Sequence, residues 1–215
     1  MIPLYHDFTG ETVVVFGGGP VGARKARRFD REAAVVVVSP EFPETDYGES
    51  ELVRAAPDAD AVAGWFDRVE PALAVAATND RTVNEAVERE ARGRGALVNR
   101  ADHSGDRDPG SVVVPATVRD GGVTVSISTG GASPALAKEL RRRIEAEIEG
   151  AGELAAITAD VRDELKADGV APSRRRRAVR DVVQSPRVWK DLGTGGSNPN
   201  QTVDAVVDSA LGDNS

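Results

Sequence analysis

Cysteine is missing from all 215 residues of the chain. Disulfides, iron–sulfur clusters and thiolate zinc sites are therefore excluded within it. Histidine is nearly missing too, with only His6 and His103, and neither belongs to a ligand cluster at metal-site spacing, so no metal-binding residue is assigned. Lysine is scarce: Lys25, Lys138, Lys166 and Lys190 are the only ones among 27 basic residues, which face 35 acidic ones. The resulting formal charge of −8 argues against nucleic acid as the main partner, because neutralising phosphates needs a basic footprint. No apolar run approaches the length that crosses a bilayer. The stretch Met1-Ile2-Pro3-Leu4-Tyr5-His6-Asp7 lacks the basic and apolar regions of a secretion signal, so a cytoplasmic location is expected. The acidic surplus with little lysine reads as salt adaptation or a high-GC source, with an ordinary acidic cytosolic protein as the plainer alternative. At this length one or two domains with a real core are expected.

What the chain does have is a strong opening. Thr12-Val13-Val14-Val15-Phe16 is an apolar β-branched run that feeds Gly17-Gly18-Gly19-Pro20-Val21-Gly22-Ala23-Arg24-Lys25. Gly17, Gly19 and Gly22 fall on the G-x-G-x-x-G spacing of a dinucleotide-binding turn. The first glycine permits the tight turn, the second lets backbone approach a pyrophosphate, and the third lets helix pack on strand. Free N–H groups at the helix start then face the phosphates. Val35-Val36-Val37-Val38 returns as a second buried strand about one βαβ unit later. At its end Ser39 or Glu41 is placed to meet ribose hydroxyls, and no arginine adjoins them to greet a 2′-phosphate, which favours NAD over NADP.

Further on, Asp60 to Gly64 reads as a short strand and Leu73-Ala74-Val75-Ala76-Ala77 as a clearer one. Thr78-Asn79-Asp80 follows as helix-capping chemistry for a helix from about Arg81 to Arg92. The same residues lie beyond a strand's carboxyl end, where a nicotinamide would reach. Ala96-Leu97-Val98-Asn99 begins another strand, the polar loop Arg100 to Gly110 follows, and Ser111 to Pro115 is again strand-like. Ala116 to Ser128 alternates, and with the turn Asp120-Gly121-Gly122 between two strands it reads as a hairpin with one buried face that starts a second unit. Ser133 caps, and Pro134 begins, a helix carrying Leu136, Leu140 and Ile144 on one face. From Glu153 onward the chain reads as helices broken near Gly169, Pro172, Pro186 and Gly193 to Gly196. Arg174 to Arg177 is its one strongly basic spot, either a solvated face or a grip on a multiply anionic small substrate. The tail after Gly212 reads as disordered.

Three stretches together resemble precorrin-2 dehydrogenase, the dehydrogenase module of siroheme synthase. They are Phe16 to Lys25, Ala76-Ala77-Thr78-Asn79-Asp80, and Thr129-Gly130-Gly131-Ala132-Ser133-Pro134-Ala135-Leu136-Ala137. The resemblance implies an α/β fold with an NAD-binding Rossmann-type parallel sheet over residues 1–115. It implies a small αβ dimerisation region over 116–150, making a homodimer, and a helical C-terminal domain over 151–215. The implied reaction removes two electrons from precorrin-2 to give sirohydrochlorin with NAD⁺ as hydride acceptor, and some members also insert Fe²⁺. The reactive aspartate of the family matches Asp102 in Asn99-Arg100-Ala101-Asp102. Nucleotide contacts fall on Pro20 and Val21 in the glycine turn and on Glu41 and Phe42 after the second strand. Added to Gly17, Gly19, Gly22, Ser39 and Thr78, these make the expected cofactor site, with Asn99, Thr129, Gly130 and Ser133 toward the substrate.

Two other readings share parts of this pattern. A short-chain dehydrogenase needs Tyr-x-x-x-Lys, but Tyr5 is followed four on by Thr9 and Tyr47 by Glu51. A non-enzymatic NAD-sensing regulatory module shares the βαβ core, yet usually places an acid where this chain has Ser39. The acidic surplus itself yields a test. Like charges repel in the compact state and salt screens them, so the melting temperature is expected to rise substantially between low and molar KCl. A flat or falling curve speaks against salt adaptation.

Overall fold

The computed structural model describes residues 2–102, 111–194 and 198–212. It divides into two compact units, Met1–Val114 and Pro115–Ser215.

The first unit is a parallel sheet built from the β-branched runs. Strands β1 (Thr12–Phe16), β2 (Ala34–Ser39), β3 (Glu51–Arg54), β4 (Leu73–Ala76) and β5 (Leu97–Arg100) lie in the order β3-β2-β1-β4-β5. Central β1 is parallel to β2 on one side and to β4 on the other, with Val15 opposite both Val37 and Val75. Both faces are covered, as the continuous apolar run Val13 to Phe16 requires. One face packs Val14, Phe16 and Val98 against Val62 and Phe66 of helix α2 (Val62–Val69) and Val83 and Val87 of α3 (Arg81–Gly93). The other packs Val13, Val15, Val37 and Val75 against Ala23 and Ala26 of α1 (Pro20–Phe29) and the ring of Tyr47. Each fully buried valine contributes on the order of 1.5–3 kcal/mol of transfer free energy, so this sheet is a rigid platform.

Two expectations need correction here. The third strand is Glu51–Arg54, whereas residues 60–64 enter α2. Asp58 Oδ1 accepts the Ala61 N–H at 2.9 Å, a local bond that turns the chain into helix, and Val62 and Phe66 then bury at i and i+4. The stretch Ser111 to Pro115 forms no strand; a single parallel bridge joins Ser111 to Val98.

The second unit starts with the hairpin β6 (Ala116–Asp120) and β7 (Val123–Ile127), closed by the two-residue turn Gly121-Gly122. Helix α4 (Pro134–Glu147) follows, with Ser133 Oγ accepting the Leu136 N–H at 3.2 Å as its N-cap. No residue of α4 is buried, and Leu136 on its apolar stripe is half exposed. Gly152 ties the hairpin to α5 (Ala151–Ala167): its N–H donates to Asp120 Oδ2 at 3.0 Å, and a Cβ there would collide with the Gly121 Cα at 2.7 Å. Helices α6 (Pro172–Gln184), α7 (Pro186–Thr194) and α8 (Pro199–Gly212) complete a bundle with Leu154, Val161, Leu165, Ala178, Val182 and Val203 at its centre. Among the described residues, no helix is long and apolar enough to cross a membrane.

Candidate functional site

The strand order reverses at β1, so a crevice opens where β1 and β4 diverge at their carboxyl ends. The glycine turn fills one wall of that crevice. Gly17 has φ +111°, a left-handed conformation that side chains rarely adopt, and its Cα faces the Ala77 carbonyl closely enough to exclude a Cβ. A Cβ on Gly22 would collide with the Gly17 carbonyl oxygen, which is how α1 packs down on its own turn. Gly19 is the opposite case. Nothing lies within 4 Å of a Cβ placed there, and as N-cap of α1 it offers no side-chain bond to the first-turn amides. The helix therefore presents open N–H donors and its positive dipole end to free space.

That space is a cavity of about 340 Å³. Gly17, Gly18 and Gly19 line it from the turn, Ser39 and Pro40 from the end of β2, and Thr78, Asn79 and Asp80 from the end of β4. Ala56, Pro57 and Val83 add to the wall. No lysine or arginine is among the lining residues described. The fit to a dinucleotide rests on these features: unpartnered helix-start amides for the pyrophosphate, and room at Gly19 for it to sit against backbone.

Of the expected cofactor residues, Gly17, Gly19, Ser39 and Thr78 are brought together here. Gly22 acts from behind, through packing. Pro20 occupies the first position of α1, where its missing N–H costs nothing, and Val21 beside it is partly exposed. Neither lines the cavity. Ser39 Oγ donates to the Glu41 carbonyl at 2.8 Å, leaving the exposed Glu41 carboxylate pointing to solvent's side of that loop. Phe42 turns into the core edge-on to Tyr47, with ring centroids 5.5 Å apart.

The sequence reading missed Tyr47 and Asn84. The buried Tyr47 hydroxyl donates to the Gly18 carbonyl, and burial raises its pKa. Asn84, on α3 and almost wholly buried, receives the Thr78 N–H at 3.2 Å and the Thr78 hydroxyl at 2.8 Å on Oδ1. Its Nδ2 returns a bond to the Thr78 carbonyl at 2.9 Å. Asp80 serves as the α3 cap, its Oδ1 taking the N–H groups of Thr82 and Val83. Thus Asn84 shapes the rim while Asp80 starts the helix.

Asp102 lies just beyond β5 at one end of a charged chain that runs through Arg100 and Glu88 to Arg92, whose Nη2 stands 2.6 Å from Glu88 Oε1. Arg100, buried at the strand end, grips Asp102 with Nε and Nη2 at 2.8 and 2.7 Å and reaches Glu88 Oε2 with Nη1 at 2.7 Å. The bidentate guanidinium holds the Asp102 carboxyl down at about 2, against the opposing effect of burial, and a hydrogen bond from Asn84 adds to it. The Arg100 cation is held correspondingly firmly, its pKa raised first by Asp102 and also by Glu88. Asn99, facing the other side of the sheet, donates Nδ2 to the Val112 carbonyl at 2.7 Å, while its buried Oδ1 has no hydrogen-bond partner. His103, Asp106 and Asp108 lie outside the described residues.

Thr129, Gly130 and Ser133 belong to the second unit, where they form the entry to α4. The Ser133 N–H donates to Thr129 Oγ1 at 3.3 Å, and Gly130 turns with φ +64°. Among the described residues no three His, Asp or Glu side chains converge as a metal site.

A 3-2-1-4-5 parallel sheet with a bare glycine turn at its switch point defines a Rossmann-type dinucleotide-binding protein. Residues 4–116 match the family model described as NAD(P)-binding, and residues 120–147 match that of the sirohaem biosynthesis protein central region. The chain belongs to this NAD(P)-binding family. A siroheme synthase of Pseudomonas entomophila is 34% identical over 97% of this chain and 45% of its own length. A precorrin-2 dehydrogenase of Methanosarcina barkeri is 29% identical over 98% of this chain and 95% of its own. The chain therefore spans about half the length of the siroheme synthases it matches and nearly all of that dehydrogenase. The solved structure of SirC, a precorrin-2 dehydrogenase, shares the fold, with TM-score 0.70 at 23% identity, over 96% of this chain and 98% of SirC.

Two sets of variants test this site. Gly22→Ala is expected to destabilise the protein by about 1–3 kcal/mol through overpacking, seen as a lower midpoint in urea. Gly19→Ala is expected to melt like the parent yet bind NAD⁺ more weakly by calorimetry. Equal behaviour of the two removes the distinction between packing and cradle.

Arg100→Gln is expected to return the Asp102 titration, followed by NMR, toward 3.8. Because the folded pKa is depressed, the pair stabilises the parent above pH 4 and loses that contribution as pH falls from about 4 toward 2. The variant should lack this acid-sensitive component. Its stability at neutral pH should drop by about 2 kcal/mol, less than for a fully buried pair because Asp102 keeps some water.

Proposed function

We propose that the chain is an NAD⁺-dependent dehydrogenase that oxidises precorrin-2 to sirohydrochlorin, acting in the cytoplasm as a homodimer. The observation that carries this reading is the open helix start at Gly19 above the switch-point cavity, in a chain that aligns end to end with a precorrin-2 dehydrogenase. The lining residues favour NAD⁺ over NADP⁺, since none described would neutralise a 2′-phosphate.

When bound, the nicotinamide supplies the hydride acceptor. The protein's tasks are to hold the reacting carbon in place and to manage charge and proton. Thr78, braced by Asn84, orients the cofactor's nicotinamide end at the tip of β4. Hydride loss leaves positive charge on the tetrapyrrole. Asp102, kept anionic by Arg100, stabilises that charge and takes the proton from the carbon it acidifies. A carboxylate this weakly basic suits a donor made acidic by the reaction itself. Asn99, near the end of β5, keeps a buried carbonyl oxygen with no hydrogen-bond partner.

Anaerobic mixing of the protein with precorrin-2 and NAD⁺ is expected to produce the sirohydrochlorin spectrum and NADH fluorescence together. NAD⁺ binding without oxidation would leave the NAD-sensing module as the better reading. Asp102→Asn keeps the shape but removes the charge and the base, and should slow single turnover by about 10²–10⁴-fold with NAD⁺ affinity intact. Normal turnover in that variant transfers the assignment to another acid of the loop.

The homodimer rests on α4, whose apolar stripe is nowhere buried within one chain, and on the open edges of the β6–β7 hairpin. Light scattering is expected to give twice the chain mass at micromolar concentration, and Leu136→Glu should yield monomers. A monomer in the parent overturns this.

A further inference from the structure

Between α5 and α6 the second unit holds a groove of about 660 Å³, a size typical of small-molecule clefts. Arg162 and Lys166 line it from α5, and Arg175, Arg176 and Arg180 from α6. The i, i+4 spacing of Arg162 with Lys166 and of Arg176 with Arg180 sets these cations on the face of each helix that borders the groove. Only one acid, Asp163, is among the lining residues described, and it stands 3.8 Å from Arg162 Nε. This is a sharp local reversal in a chain of net charge −8.

The groove is not simply a solvated basic helix face. The four consecutive arginines divide: Arg174 donates to the Leu211 carbonyl and Arg177 pairs with Asp181 at 3.7 Å, whereas Arg175 and Arg176 turn into the groove. Its floor is apolar, made by Pro172, Val179 and Val183, and Val183 is 41% exposed. Cations around an exposed apolar floor match a ligand with anionic edges and an apolar face.

We propose that this groove binds a polycarboxylate small molecule with a flat apolar body. Its carboxylates pair with the arginine forks, which suit bidentate carboxylate geometry, and its body lies on Val179 and Val183. That the natural ligand is the tetrapyrrole substrate or product rests on the function proposed above. An acidic protein segment is disfavoured, because a specific protein interface spreads over roughly 800 Å² per partner, whereas these cations crowd one short groove.

Uroporphyrin, a flat tetrapyrrole polycarboxylate, is the probe, added to the full chain and followed by its fluorescence, with no turnover required. Binding is expected to weaken with KCl. Arg176→Gln combined with Arg180→Gln should weaken it by about tenfold. Val183→Asp, which places a carboxylate on the floor, should do the same. All three positions are solvent-facing, so the melting temperature and NAD⁺ affinity should hold, and mellitate, a small aromatic polycarboxylate, should compete. Unchanged uroporphyrin affinity in both variants overturns the proposal. So does no uroporphyrin binding by the parent, whether or not a glutamate-rich peptide is retained through the same arginines. Since the readout is binding alone, failure of precorrin-2 oxidation leaves this result standing, and loss of the groove leaves the oxidation assay to be judged by itself.

Discussion

Backbone meets backbone at one place in the sheet unit, and everything at the crevice depends on it. Gly22 lies against the Gly17 carbonyl, and Gly17 against that of Ala77, so three segments approach with no side chain between them. This contact seats α1 on β1 and presses the turn against the end of β4. The same closeness aims the first amides of α1 into the cavity rather than into a neighbouring side chain. Any Cβ at either inner glycine would force the segments apart, and the cavity's shape would go with them.

The second organising element is polar. Asn84 braces Thr78 at the cavity rim and touches the carboxylate of Asp102, whose other partner is Arg100. Arg100 in turn bridges to Glu88, one helical turn along α3 from Asn84. A single helix therefore positions both the wall of the cofactor cavity and the acid assigned to the substrate. Glu88 also takes Arg92 Nη2 at 2.6 Å, so two carboxylates face two guanidiniums and the charges of the cluster balance. Burying such a group is tolerable only because its hydrogen bonds are made.

The first βαβ unit was legible because its signals are local: valines that alternate with nothing polar, then glycines at fixed spacing, then a helix. The resemblance followed from three stretches taken together, of which Thr129 to Ala137 is the specific one. Strand β3 was not legible. Glu51 and Arg54 flank only two apolar residues at a sheet edge, and the alanine-rich run after Asp58 imitated a strand until its Asp58 turn was known. Tyr47, Ala56 and Pro57 reach the site through folding from distant positions, so no spacing rule finds them. Asn84 and Arg100 did leave a trace. Each is a polar residue set among buried apolar ones, Asn84 between Val83 and Ala86, Arg100 at the end of Leu97-Val98, and such an exception in a buried pattern marks a residue held for its hydrogen bonds.

Tyr47 gives the protein an optical gauge of its own turn. Its ring stands among the α1-side core residues, and its hydroxyl closes on the Gly18 carbonyl. Ionising that phenol means giving up the bond and admitting water behind the glycine loop, and burial already resists it. With the chain's other phenol, the exposed Tyr5, replaced by Phe, alkaline difference absorbance of Tyr47 therefore measures how often the loop breathes. A dinucleotide that clamps the loop would register as a delay in phenolate formation, without any label attached.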